Sequence, residues 1–143
     1  MLLCNKMQHK LFSHACAIQE DDRVVITGGH SARTVSVYDE NGWIEDLPNL
    51  NEERLGHACT SFLSDGKKVY IKNNTNISDF FFKIMMVSGG KGLGGVSTYS
   101  DTSEIWTGTK WRLALGKLPY KARDVRMAYI DNRILFLGNK MKY

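Results

Sequence analysis

The apolar residues of this chain fall in short runs closed by polar or glycine-rich turns. Residues 12–18 are small and apolar and give way to the polar turn Gln19-Glu20-Asp21-Asp22. Arg23 to Thr27 is rich in β-branched residues and stops at Gly28-Gly29. A short apolar run bounded by turn signals suits a strand covered on both faces. Thr34 to Tyr38 is a third run of the same kind, followed by Asp39-Glu40-Asn41-Gly42, where Asn-Gly is a strong hairpin signal. Trp43 to Asp46 makes a fourth strand, and Leu47-Pro48 closes it because proline cannot continue a ladder. The pattern predicts an antiparallel four-stranded meander over residues 12–18, 23–27, 34–38 and 43–46.

The same landmarks then return in the same order. Phe12-Ser13-His14-Ala15-Cys16 is echoed by Leu55-Gly56-His57-Ala58-Cys59, and Val24 to Gly29 by Met85 to Gly90. Tyr38 and Trp43 are echoed by Trp106 and Trp111, and Leu47-Pro48 by Leu118-Pro119. A second meander is therefore predicted over 57–63, 84–88, 102–106 and 110–115. A third unit begins after Pro119. Arg126-Met127-Ala128-Tyr129 reads like Arg54-Leu55-Gly56-His57, and Ile134 to Gly138 reads like the strand before Gly-Gly, with Asn139 in place of the second glycine. Recurrence at this spacing identifies a repeat architecture, with units at 12–51, 52–119 and 120–143. A single meander cannot bury its own faces, and radial stacking of such sheets does so. Residues repeated at apolar positions should face neighbouring units, so Trp43, Trp111, Cys16 and Cys59 are expected to be buried. The glycine pairs, each ending an apolar strand before a Trp, are expected to leave room for the indole ring.

Two features depart from regular repetition. Gly28 follows His14 by 14 positions, whereas Gly89 follows His57 by 32. The excess lies near 71–85 and includes Asn73-Asn74-Thr75-Asn76 and Phe80-Phe81-Phe82. It reads as a surface insertion or as sequence foreign to the unit, such as retained non-coding sequence. Joining Val69-Tyr70 to Met86 would restore a continuous strand, and long structureless loops inside compact modules are uncommon, which favours the second reading. The number of units is also low: two and a half, where closed propellers use 4–8. Open faces and strand edges then invite self-association or await missing units.

A β-branched strand ending in Gly28-Gly29, then Tyr38 and Trp43, and again Gly89-Gly90, Trp106 and Trp111, resembles the kelch repeat. The resemblance covers about residues 12 to 138. It implies an all-β fold of antiparallel four-stranded kelch blades forming an incomplete β-propeller arc. It implies a protein-interaction module, the substrate-recognition part of a ubiquitin-ligase adaptor or a cytoskeletal scaffold, binding without catalysis. The alternative it implies is a fragment of a propeller enzyme such as a sugar isomerase or copper oxidase, which needs central residues from many blades.

Composition adds limits rather than chemistry. The net charge is +4 and the basic residues are scattered, with no basic stripe interleaved with aromatics, so nucleic-acid binding is not indicated. No apolar run approaches a membrane span, and Asn5, Lys6, Gln8, His9 and Lys10 interrupt the start, so no signal peptide is expected. Cys4, Cys16 and Cys59 cannot all pair, and two of them share a repeat position. Buried free thiols and a reducing, cytoplasmic setting follow. The sequence triplets Asn73-Asn74-Thr75 and Asn76-Ile77-Ser78 match the glycosylation acceptor pattern and are read as unused.

His14 and His57 recur at one position, which favours a repeated hydrogen-bonding role over metal binding, and no cofactor is expected. Lys91-Gly92-Leu93-Gly94-Gly95 lacks the Lys-Ser/Thr ending of a phosphate loop. No nucleophile–base constellation can be argued from the sequence. A rigid scaffold with variable loops suits recognition of another protein, and the candidate contacts are His30, Arg33, Lys91, Tyr120 and Arg123. Arg54 and Arg126 precede matching strands and are expected to be structural.

Overall fold

The computed structural model describes residues 12–19, 22–30, 33–44, 47–63, 69–70, 76–77, 83–94, 99–131 and 133–140. The Asn73–Thr75 and Phe80–Phe82 stretches, Ser78 and Cys4 lie outside them. The first unit consists of β1 (His14–Ile18), β2 (Val24–Gly28), β3 (Val35–Asp39) and β4 (Gly42–Ile44), paired antiparallel in chain order. The second begins with β5 (Ala58–Leu63). Next come β6 (Val69–Tyr70) and β7 (Asn76–Ile77), which among the described residues form a two-stranded sheet of their own. The second sheet resumes with β8 (Lys83–Ser88), β9 (Ser103–Trp106) and β10 (Trp111–Leu113), in the order β5-β8-β9-β10. The last described elements, β11 (Ala122–Ile130) and β12 (Arg133–Lys140), form a hairpin. The fold is all-β, in antiparallel sheets, two of them four-stranded.

The partner of β5 is β8 itself, from Ala58 opposite Ser88 to Leu63 opposite Lys83. Val69-Tyr70 therefore does not continue that strand. The long connection leaves and rejoins the sheet at one strand end, which explains how extra length is carried without disturbing the ladder.

Strand parity decides which side chains meet. In the first sheet Val25, Val35 and Val37 share one face, here called the back. In the second sheet Met85, Val87, Trp106 and Trp111 share the opposite face, the front. These two faces form one core with Leu50 at its border, and Cys59 and Leu47 pack against it. The back of the second sheet meets the front of the β11–β12 hairpin in the same way. Ala58 packs with Ala122 and Val125, and Phe62 stacks on Tyr129 at 5.0 Å.

Backbone hydrogen bonds fix the equivalence of the units more strictly than residue likeness does. Gly28 N–H donates to Thr34 O, and Gly89 N–H to Thr102 O. Leu50 N–H donates to Arg33 O and Leu118 N–H to Asp101 O, while Gly29 N–H meets Arg54 O and Gly90 N–H meets Ala122 O. The slot of Leu118 thus belongs to Leu50, not Leu47, and that of Arg54 to Ala122, not Arg126. The expected pairings Leu47-Pro48 with Leu118-Pro119 and Arg54 with Arg126 are corrected accordingly. Position 125 matches His14 and His57, and Ser13, Gly56 and Asp124 share a left-handed backbone at φ 56, 61 and 50.

The glycine pairs do not make room for an indole. A Cβ on Gly29 would come within 2.7 Å of Phe12 O, and one on Gly90 within 2.8 Å of His57 Cβ and 2.9 Å of Leu55 O. With φ of +83 and +92, these residues turn the chain away where the neighbouring inner strand begins. Asn139 occupies the same position in the third unit without a positive φ. There the pairing runs on to Ala122 opposite Lys140.

Candidate functional site

Two regions bring polar side chains together, one buried at a linker and one at a rim. At the linker, the Arg54 side chain is wholly buried. Its Nε donates to Glu104 Oε1 at 3.0 Å, its Nη1 to Gly89 O at 2.7 Å, and its Nη2 to Thr102 Oγ1 at 2.7 Å. Glu104 is equally buried and also accepts from the Asn51 N–H and Nδ2, each at 2.7 Å, and from Glu52 N–H at 3.1 Å. Glu104 thus accepts from the segment joining the two sheets, and Arg54, which lies on that segment, is tied to Gly89, Thr102 and Glu104 of the second sheet. This ion pair is a strut, and satisfied in this way it has no valence left for a ligand. The sequence reading placed Arg54 in a structural role but missed Glu104. The signal was a carboxylate on a strand, two residues before the repeated Trp106.

The beginnings of β1, β5 and β11 lie side by side. Gly56 N–H donates to Ser13 O and Val125 N–H to Gly56 O. A hollow of about 210 Å³ runs along them, lined by His14, Cys16, His57, Cys59, Val125 and Arg126 among others. His57 is buried, and its Nε2 shares a 2.8 Å hydrogen bond with Thr27 Oγ1 across the two sheets. Burial, and next the Arg54 cation, lower its pKa to about 3. His14 adds slightly, and hydrogen bonding to the Arg54 backbone opposes the shift. A neutral imidazole so engaged is unsuited to general-base work at neutral pH. The Cys59 thiol is pushed up to about 12 by loss of hydration, against a smaller opposing contribution from Thr27. It is a packing group, not a nucleophile.

The burial of the repeated positions divides by unit. Trp106 and Trp111 are buried as expected, with ring centroids 5.5 Å apart. Trp43 is only half-buried, with Tyr38 edge-on at 5.1 Å. Cys16 is exposed and Cys59 half-buried, both as free thiols, so the expected burial of Trp43 and Cys16 is corrected. The reason is the stacking. Cys16, Tyr38 and Trp43 lie on the front of the first sheet, which no described sheet covers.

All five candidate contact residues lie at the end of the sheets where β1, β5 and β11 begin. His30 and Lys91 each follow a glycine pair and hold equivalent places. His30 is exposed beside Phe12 at 5.0 Å. The Lys91 backbone exchanges hydrogen bonds with Leu55 in both directions, and its Nζ sits 5.7 Å from the Tyr99 ring centre. Arg33 is exposed, yet its Nε donates to Leu50 O at 2.9 Å. Tyr120 is half-buried, with its hydroxyl 3.3 Å from Gly138 O and its ring against Phe136. Exposed Arg123 lies 3.5 Å from Asp124. At the same rim a hollow of about 460 Å³ carries Glu52, Glu53, Asp101, Lys117 and Lys121. Arg126, expected to be structural, is exposed on the back of β11.

No family model and no curated protein matches the chain. Among solved structures it is similar to a "novel fungal alcohol oxidase with catalytic diversity among the AA5 family, in complex with copper". The identity is 15% and the TM-score 0.35, over 94% of this chain and 49% of the other. The chain thus spans about half the length of that protein. Among the described residues of this chain, no group of three or more His, Cys, Asp or Glu side chains is placed to hold a metal ion. No helix among them is long and apolar enough to cross a membrane.

Proposed function

We propose that this chain is an incomplete arc of a kelch-type β-propeller that binds another protein through the loops at the rim where its inner strands begin. One observation carries the reading. The hydrogen-bond frame Gly28-Thr34, Arg33-Leu50 and Gly29-Arg54 repeats as Gly89-Thr102, Asp101-Leu118 and Gly90-Ala122, while the side chains it presents change. His30 gives way to Lys91 and Arg33 to Asp101. A constant frame with varied rim residues is what a recognition surface needs. The rim of mixed charge suits a polar peptide or loop. A role in substrate recognition for a ubiquitin-ligase adaptor, or in a cytoskeletal scaffold, belongs to this reading, as does a cytoplasmic site of action.

The test is a photoreactive amino acid placed singly at His30, Lys91 and Arg123, and at Asn41 at the opposite end of the sheets, in the chain expressed in cells. Adducts at the rim positions with one shared protein other than this chain, and none with that protein at Asn41, are the expected result. Adducts with no such protein, or with it equally at Asn41, would overturn the reading.

A further inference from the structure

We propose that the back of the β11–β12 hairpin docks, head to tail, on the front of the first sheet of a second copy of this chain. The inference rests on the reading of the chain as successively stacked propeller sheets. The hairpin register places Arg126 opposite Leu137, Ala128 opposite Leu135, and Ile130 opposite Arg133, all on one face. Counting from Gly138, which holds the slot of Gly28, Leu137 and Leu135 take the slots of Thr27 and Val25. In the first sheet those slots are covered completely by the second sheet. In the hairpin Leu137 is 72% and Leu135 50% exposed, with Ile130 equally open.

The front of the first sheet is the other half of such a joint. His14, Cys16, Tyr38 and Trp43 hold the slots of His57, Cys59, Trp106 and Trp111, the residues that pack against a preceding sheet. The chain therefore contains a worked example of how a back covers a front, and among the described residues one face of each kind is left open.

Charge favours a second copy as the occupant. The leucine stripe is flanked by exposed Arg126 and Arg133. On the first sheet, a hollow of about 580 Å³ beside Tyr38 carries, among the described residues, the carboxylates Asp22, Asp39 and Glu40 and one arginine, Arg23. Arg133 starts β12 at the turn end of its sheet, and this hollow opens at the turn end of the first sheet. Stacking in the internal register brings them together. One feature of the internal joint is missing. Thr27 bonds His57 there, whereas Leu137 would face His14, and no linker joins the copies. The association is accordingly reversible and weakened by salt. Being heterologous, it closes a ring or extends into a filament.

Sedimentation of the purified chain from micromolar to submillimolar concentration tests this, with Leu135→Asp, and with Leu137→Thr in the presence and absence of His14→Ala. Self-association that weakens with salt and is abolished by Leu135→Asp, in a variant whose circular dichroism is unchanged, supports the proposal. In the Leu137→Thr background, His14→Ala should raise the Kd about 2- to 12-fold more than it does in the parent, the span of one net hydrogen bond. A chain monomeric throughout, because another protein or a further sheet covers the face, would overturn it. So would association indifferent to Leu135→Asp, or the absence of coupling between positions 14 and 137. Amide exchange at Gly56 and Val125 separates the two readings. Protection there without self-association sinks only the docking proposal, and loss of protection there sinks the stacked-arc reading as well.

Discussion

In the second sheet Trp106 and Trp111 are 5% and 3% exposed, while in the first their counterparts Tyr38 and Trp43 stand half-buried with similar ring contact. The slots and the strand pairing match. What differs is that the second sheet has another sheet in front of it. Burial in a repeat is a property of the joint, not of the residue. The same contrast holds for His57 against His14 and Cys59 against Cys16. It also holds for Glu104 against Ser36, where the second sheet carries a carboxylate in a buried ion pair and the first carries a hydroxyl.

The sharpest way to break this comparison is to truncate the two tryptophans. Trp111→Ala should cost about 3–5 kcal/mol in urea unfolding, because it empties a core slot. Trp43→Ala should cost about 1 kcal/mol or less, since its slot is already open to water. Equal losses would mean that both rings are covered and that the front of the first sheet is not open.

The ion pair comes next. Glu104→Gln leaves the buried Arg54 cation with only the partly exposed Glu52 carboxylate, 3.1 Å from its Nη2, as counter-charge and should cost roughly 3 kcal/mol. The double variant Arg54→Met with Glu104→Met should be less destabilised than Glu104→Gln alone, since no unpaired charge remains. Additive losses would show that the two side chains do not share one network.

Periodicity alone brought the eight strands of the two four-stranded sheets within one or two residues of their observed ends, because most are bounded by Gly, Pro or a polar turn and little else in the chain competes for those boundaries. The third unit was misaligned by four positions. Arg126 resembles Arg54, but resemblance between single residues is weaker than register, and counting back from Gly138 points to Ala122 instead. The glycine pairs were found and misexplained. The close approach that the second glycine of each pair permits is to the start of its own sheet's inner strand, Gly29 to Phe12 O and Gly90 to Leu55 O, a contact between separated stretches of sequence that a one-dimensional pattern does not display. Glu104 went unread for a related reason. A carboxylate in a strand looks solvated until the linker of the preceding unit is folded over it. The rim residues were legible as loop positions, but not the backbone ties of Arg33 and Lys91 or the packing of Tyr120.

A smaller effect separates the two histidines. His57 is held neutral in the fold, with its pKa lowered to about 3 from the ordinary 6.5. Below pH 6.5 the unfolded chain takes up a proton that the folded chain refuses, so stability is lost as pH falls from 6.5 toward 3. The loss is about 1 kcal/mol for each pH unit. Urea midpoints between pH 7 and pH 4 should show this slope, and His57→Gln should flatten it. A slope unchanged in that variant would assign it to other groups.

The smallest expected effect lies in the thiols, and it tests the open front directly. Cys16 and Cys59 hold one slot in successive units, yet Cys16 is exposed and Cys59 is half-buried with its pKa raised to about 12 from 9.0. Only thiolate reacts with a disulfide reagent, so at pH 8 Cys16 should be labelled rapidly and Cys59 slowly, at a rate limited by opening of the joint. Mass spectrometry of peptides from partly labelled protein reads the two rates separately. The raised pKa carries its own linkage. Between pH 9 and 12 the unfolded chain ionises Cys59 while the folded chain keeps it protonated, so folded stability falls as pH rises through that window. Cys59→Ala should remove that part of the alkaline loss, while Cys16→Ala should leave it in place. Equal labelling of the two cysteines would mean that the joint between the first and second sheets opens as freely as the uncovered front, and the difference between the sheets would then have no energetic content.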